Sequence, residues 1–540
     1  IALFGCFLIM IIILAVLAMI VVKALTHSPW GTYTVAFTIP LAIFMGIYIR
    51  YLRPGRIGEV SVIGLVMLVF AIISGGWVAE SPTWAPWFDY TGVQLTWILV
   101  GYGFVAAVLP VWLLLAPRDY LSTFLKIGTI VGLAIGILIM RPTLTMPALT
   151  KFVDGTGPVW TGNLFPFLFI TIACGAVSGF HALISSGTTP KMLANESQAC
   201  FIGYGGMLME SFVAIMALVA ACIIDPGVYF AMNSPMAVLA PAGTTDVVAS
   251  AAQVVSGWGF SITPDTLHQI ASEVGEQSII SRAGGAPTLA VGMAYILHGS
   301  LGGLMDVSFW YHFAILFEAL FILTAVDAGT RAARFMLQDL LGVISPGLKK
   351  TSSLPANLLA TALCVLAWGY FLHQGVVDPL GGINTLWPLF GIANQMLAGM
   401  ALMLCAVVLF KMKRQRYAWV ALVPTAWLLI CTLTAGWQKA FSPDAKVGFL
   451  AIANKFQAMI DSGNIPSQYT ESQLAQLVFN NRLDAGLTIF FMVVVVVLAL
   501  FSIKTALAAL KDPKPTAKET PYEPMPENVE EIVAQAKGAH

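Results

Sequence analysis

The chain returns again and again to stretches of about 20 residues with no charged side chain, or only one. At 1.5 Å of rise per residue, each can cross ~30 Å of hydrocarbon as a helix. They fall at 1–22, 33–49, 60–79, 95–116, 127–140, 164–190, 200–224, 307–326, 354–373, 383–410, 417–437 and 485–503. The run at 127–140 is short and is expected to extend back over 120–126, with Lys126 snorkelling. A further apolar stretch, 286–304, either spans or re-enters. Charged residues make up 10% of the 540 and hydrophobic ones 58%, against about 25% charged in soluble domains. The expected fold is all-α, a polytopic transmembrane helical bundle of about twelve or thirteen segments.

Basic residues set the expected orientation. Arg50, Arg53 and Arg56 share one short loop, and Lys411, Lys413, Arg414 and Arg416 another; both are expected to face the cytoplasm. From Asp225 to Ser281 stand five acids (Asp225, Asp246, Asp265, Glu273 and Glu276) and no Lys or Arg, so this long loop is expected outside. One transmembrane domain over 1–510, including the outer loop 225–283, is expected, followed by a disordered cytoplasmic tail at 511–540 rich in Pro, Glu and Lys. Arg331, Arg334, Lys349 and Lys350 also favour the cytoplasm, so only an odd number of crossings fits between Arg282 and Asp327. Re-entry of 286–304 satisfies that count, and Gly284, Gly285, Pro287, Gly292, Gly299, Gly302 and Gly303 would loosen it. The chain starts with Ile1 and an apolar run without a basic region before it. That argues against a secretory signal and leads to the expectation of a truncated N-terminus.

One charge-free segment does not suit lipid. Its second half, 175–190, carries three glycines (Gly175, Gly179, Gly187), five hydroxyls (Ser178, Ser185, Ser186, Thr188, Thr189), His181 and Pro190. Unwound backbone at membrane depth survives only where protein or a water-filled cavity satisfies it, and interrupted helices of this kind form substrate and ion sites in secondary transporters. The alternative is a continuous helix packed through small residues. The site reading makes Ser178, His181, Ser185, Ser186, Thr188 and Thr189 candidate substrate contacts, with a half-helix N-terminus suited to a carboxylate.

Further polar residues lie inside the apolar runs. Glu210 sits mid-span, Glu318 lies within 307–326, and Asn394 and Gln395 are adjacent within 383–410. Intramembrane ionisable groups are costly and usually face a bundle interior or water path. Glu210, Glu318, His181 and Asp327 are therefore candidate proton carriers, set against the possibility that each is a structural, hydrogen-bonded group. Asp327 and Arg331, one turn apart, are expected to pair as an i,i+4 bridge. Asn394 and Gln395 are candidate substrate contacts or interhelical glue. The seven cysteines fall in apolar runs without CxxC spacing and read as small buried hydrophobes. No metal or cofactor site is expected.

The sequence also excludes classes. Gly-Lys never occurs, so there is no Walker A loop, and HExxH is missing too. Zero net charge gives no electrostatic case for nucleic acid. No constellation supports an enzyme, so coupling to an ion gradient outranks ATP-driven transport.

Three strings are long enough to identify: CGAVSGFHALISSGTTPK at 174–191, EALFILTAVDAGTR at 318–331 and LWPLFGIANQ at 386–395. They resemble the carbon starvation protein family of bacterial inner-membrane transporters, and the resemblance covers essentially the whole chain. It implies a secondary transporter with inverted repeats around a central site, taking up small peptides during carbon starvation, with protons as the coupling ion. Pyruvate/proton symport also occurs in the family and stays open as an alternative, as does a nutrient-sensing role. The resemblance further implies about 160 additional residues at the start of family members, more than one membrane hairpin. That region includes a Gly-His-His-Phe stretch echoing Gly179, Phe180 and His181, and the expectation is that this chain alone is not a competent transporter.

Overall fold

A helix that is apolar on every side belongs at the centre of a bundle. In the computed structural model, which describes residues 2–53, 56–187, 193, 195–241, 243–351, 353–378, 382–466, 469–512 and 514–518, α1 (Ala2–Leu25) takes that place. Its residues 9–25 are buried apart from Leu17 and Lys23. The chain continues through α2 (Pro29–Ile47), α3 (Ile57–Glu80), α4 (Gly92–Val108) and α5 (Leu115–Met140). A broken pair follows, α6 (Leu164–Ile172) and α7 (Gly179–Gly187), then α8 (Gln198–Cys222). Four short helices come next: α9 (Pro226–Asn233), α10 (Met236–Leu239), α11 (Val247–Gly257) and α12 (Pro264–Glu273). After α13 (Ala286–Ser300) come α14 (Val307–Ile344), α15 (Leu354–Val377), α16 (Gly382–Lys411), α17 (Trp419–Phe441), α18 (Phe449–Asp461) and α19 (Glu471–Lys511). The described residues contain no strand.

Eleven of these segments, with α6 and α7 counted as one, are long and apolar enough to cross a membrane. α4, with 17 residues, spans about 25 Å and is a shorter apolar helix beside them. The expected run at 95–116 is thus shorter than its composition suggests. Pro110 interrupts it, and α5 takes up residues 115–140, as the back-extension over 120–126 anticipates. In contrast to α1, α8 buries only Met216 and Ala220; its apolar flank is the kind that lipid solvates.

α13 is the short helix of the stretch between Arg282 and Asp327. Its 15 residues reach only about 22 Å, from the cavity wall at its start to the end of α5 at its far end. At its start Asn233 Nδ2 on α9 donates to Thr288 Oγ1 at 2.9 Å. At its far end Gly299 and Ser300 lie against Met140 and Gly136 of α5. There Thr145 N also donates to Cys222 O at 2.9 Å. Among the described residues, α14 is the one helix of membrane-crossing length between Arg282 and Asp327, and α13 falls short of it. Gly292 does not loosen the helix. It lets the Ala220 backbone of α8 come into direct contact, where any side chain would collide.

The acidic loop is a folded cap. Phe152, Phe230, Trp258 and Phe260 form one aromatic cluster, and Asp225 and Asp246 cap α9 and α11. Glu276 is held by Arg282 at 2.9 Å and by Ser28 at 3.1 Å. Burial pushes the Glu276 carboxyl above its ordinary range, while the guanidinium pulls it back. At the opposite end, Lys413 donates to the carbonyls of Ala509 and Asp512, so the loop after α16 and the end of α19 lie together.

Candidate transport cavity

The broken helix is held open by α16. α6 ends at Ile172, a single turn covers Ala173–Gly175 with Ala173 at φ +48°, and α7 starts at Gly179. Breaking the ladder frees backbone groups that must find partners away from water. Gln395 Nε2 donates to Phe169 O at 2.8 Å and Ala173 O at 3.3 Å. Trp387 Nε1 donates to Thr171 O at 3.1 Å. Asn394 Oδ1 accepts from Phe180 N at 2.8 Å, and Ser178 Oγ from His181 N at 3.2 Å. Gly179 permits the approach, since a side chain there would strike Asn394 O and Leu397.

Beside the break lies a cavity of about 510 Å³. Its walls come from α1 (Ile13, Leu17), the break (Cys174, Gly175, His181), Glu210 of α8, Glu318 of α14, and Gly284 and Gly285 before α13. Cys174 Sγ lies 3.0 Å from Ser178 Oγ and 3.6 Å from His181 Nδ1. The ligand atoms of Cys174, His181 and Glu210 are all within 4.8 Å of one another. Glu318 makes no hydrogen bond or ion pair among the described residues. Gly284 and Gly285, at φ +122° and +87°, turn the chain so that the start of α13, at Ala286 and Thr288, lines the cavity.

The residues singled out from the sequence divide. His181, Glu210 and Glu318 come together on the cavity. Asn394 and Gln395 are fully buried behind the break and serve its backbone. Asn394 also accepts from Phe180 N at the N-terminus of α7, which is therefore not the open half-helix end expected; the start of α13 lines the cavity instead. Ser178 turns to Cys174 and the α7 backbone, and Ser185 and Ser186 bond carbonyls of their own helix. Thr188 and Thr189 lie outside the described residues.

Asp327 sits elsewhere, and its expected bridge to Arg331 does not form. Tyr102 Oη donates to Asp327 Oδ2 at 2.5 Å, Arg118 donates to Tyr102 Oη, and Arg118 Nη1 lies 3.8 Å from the carboxylate. Arg331 instead donates to Ala106 O and Leu109 O at 2.5 and 2.6 Å, and Arg334 to Ala107 O at 3.0 Å. α4 ends inside the bundle and leaves carbonyls unpaired, and these claim the two guanidinia. Three participants have no signal in the sequence. Cys174 reads there as a buried hydrophobe and in the fold touches His181, while Tyr102 and Arg118 carry no local pattern; their partner is more than 200 positions away.

The chain matches the family model described as Carbon starvation protein CstA over residues 1–435. It belongs to the carbon starvation protein family. Among curated relatives, it is 96% identical over 540 residues to "Peptide transporter CstA" of Escherichia coli (strain K12), covering 100% of this chain and 77% of the relative. It is 60% identical to "Pyruvate/proton symporter BtsT" of the same organism, covering 98% and 76%. It is 54% identical to "Peptide transporter CstA" of Campylobacter jejuni, covering 97% and 75%. No solved structure matches the chain. The all-α, multi-pass membrane architecture agrees with that membership.

Proposed function

We propose that the chain is a secondary transporter for small peptides in the bacterial inner membrane, with the cavity beside the α6–α7 break as its substrate site and protons as the coupling ion. It is a transporter rather than an enzyme. The observation that carries the reading is the cavity itself: about 510 Å³, within the range of small-molecule sites, with two carboxylates and an imidazole on its walls. The N–H groups opening α13 suit the peptide carboxylate, and the carboxylates of Glu210 and Glu318 suit its ammonium group and the proton. His181, between the break and Glu210, is the relay. The relatives named as peptide transporters support peptide over pyruvate, and a cavity of this size exceeds what a three-carbon acid needs. A second reading, pyruvate/proton symport, is favoured by the 60% identical relative of that name.

The orientation is part of the proposal: the loops at Arg50 and Lys411 and the tail 511–540 face the cytoplasm, the cap at 225–283 faces out, and residues 1–510 form the transport domain. Uptake of labelled dipeptide and labelled pyruvate under an imposed pH gradient tests the function. Peptide accumulation that collapses with the gradient is expected, and pyruvate accumulation alone would transfer the assignment to the second reading. Glu210→Gln keeps size and hydrogen bonding but cannot release a proton. It is expected to retain peptide exchange and lose uphill accumulation, and full accumulation from pH 6 to 8 (roughly the range over which such a carrier must titrate) would make Glu210 structural. Cysteines at Ser250 and Gln415 should react with an impermeant thiol reagent from opposite faces.

A further inference from the structure

Two donors on the cavity wall that the transport reading uses, His181 and Glu210, share their corner with a thiol to which it gives no role, Cys174. Cys174, in the break, His181, one turn into α7, and Glu210, on α8, bring a sulfur, a nitrogen and a carboxylate oxygen within 4.8 Å of one another. A tetrahedral zinc with bonds of about 2.3 Å to sulfur and 2.0–2.1 Å to nitrogen holds those two atoms about 3.5 Å apart. Cys174 Sγ and His181 Nδ1 are 3.6 Å apart. From this geometry we infer that Cys174, His181 and Glu210 form a three-ligand site for a thiophilic divalent cation, with Zn²⁺ as the representative, and that its occupation arrests transport.

The chemistry selects the metal. A thiolate and an imidazole favour zinc and cobalt, whereas Mg²⁺ and Ca²⁺ demand oxygen ligands. On loading, the Cys174 thiol releases its proton to water, and thiolate plus carboxylate then neutralise the dication. A neutral complex matters in a site walled by apolar side chains, where residual charge is expensive. Three protein ligands leave the fourth position open to the cavity, the pattern of exchangeable rather than structural zinc. Ser178 Oγ, 3.0 Å from the sulfur, holds the side chain toward this position. The metal would also tie the break to α8 and would occupy lone pairs on His181 and Glu210. Arrest therefore rests on the transport reading above, whereas metal binding does not.

Co²⁺ added to the purified full chain is the probe. In a Cys200→Ser/Cys405→Ser background, which removes the two cysteines exposed on the helix flanks, one equivalent of Co²⁺ should produce a thiolate-to-cobalt charge-transfer band. Zn²⁺ should displace it and a large excess of Mg²⁺ should not. Adding Cys174→Ser should abolish the band, and Glu210→Gln should weaken Zn²⁺ affinity at least tenfold, with unchanged elution from size exclusion showing that both variants fold. No band in the background protein, or a band that survives Cys174→Ser, overturns the site. Zn²⁺ at saturation should cut peptide uptake in vesicles at least tenfold, and full uptake by loaded protein overturns the arrest. If the parent binds Co²⁺ as described but moves neither peptide nor pyruvate, the transport reading fails and the metal site stands.

Discussion

Two carboxylates on α14 stand nine positions apart and meet opposite environments. Glu318 lines the cavity and has no partner among the described residues. Asp327 is fully buried, bonded by Tyr102 and facing Arg118. Composition treats the two alike, as acids in an apolar run. The difference teaches that a carboxylate at membrane depth becomes structural when donors from other helices close over it, and available for chemistry when a cavity replaces them. α4 supplies the decisive donor through Tyr102 and α5 through Arg118.

The contrast can be broken most forcefully at Asp327. Asp327→Ala strands the buried Arg118 guanidinium without its counter-charge, and removing one partner of a buried pair costs about 3–5 kcal/mol. Thermal melting in detergent should show it, and a loss below about 1 kcal/mol would place Asp327 with Glu318. Next in size is the break. Gly179→Leu forces a side chain into Asn394 O and Leu397, and overpacking costs about 1–3 kcal/mol or more, so less folded protein should reach the membrane. Gly187→Leu has open space and should fold normally, which separates two glycines that the sequence presents as equivalent.

Arg331→Met removes the donor to Ala106 O and Leu109 O, and unsatisfied buried acceptors cost about 1–3 kcal/mol. Slower unfolding in the variant would show that the end of α4 finds other partners. The smallest stability change is expected for Glu318→Gln, within about ±0.5 kcal/mol, because no bond is lost. Its effect should appear in function, as exchange without gradient-driven accumulation. A melting loss comparable to that of Asp327→Ala would end the comparison.

Much was legible without coordinates. The apolar runs located the crossings, because a bilayer rewards about 20 uncharged residues whatever their neighbours. The glycines and hydroxyls of 164–190 located the break, because a lipid-facing helix has no use for them. What the sequence misassigned were pairings. Asp327 and Arg331 suit each other on a helical wheel, yet α4 ends inside the bundle with bare carbonyls, and those bind the guanidinium instead. Asn394 and Gln395, open in the sequence between substrate contact and interhelical glue, are glue: the freed backbone of α6 and α7 lies against them.

By itself, then, the sequence determined that this is a membrane bundle of the carbon starvation protein family, where it crosses, and which helix breaks. These properties depend on transfer between water and lipid and on local backbone preference, and both are read along the chain. Which carboxylate is caged, which cysteine meets a histidine and which helix end opens on the cavity were decided only by tertiary structure. A hydrogen bond depends on positions and angles to within about half an ångström, and residues more than 200 positions apart acquire those only when the helices pack.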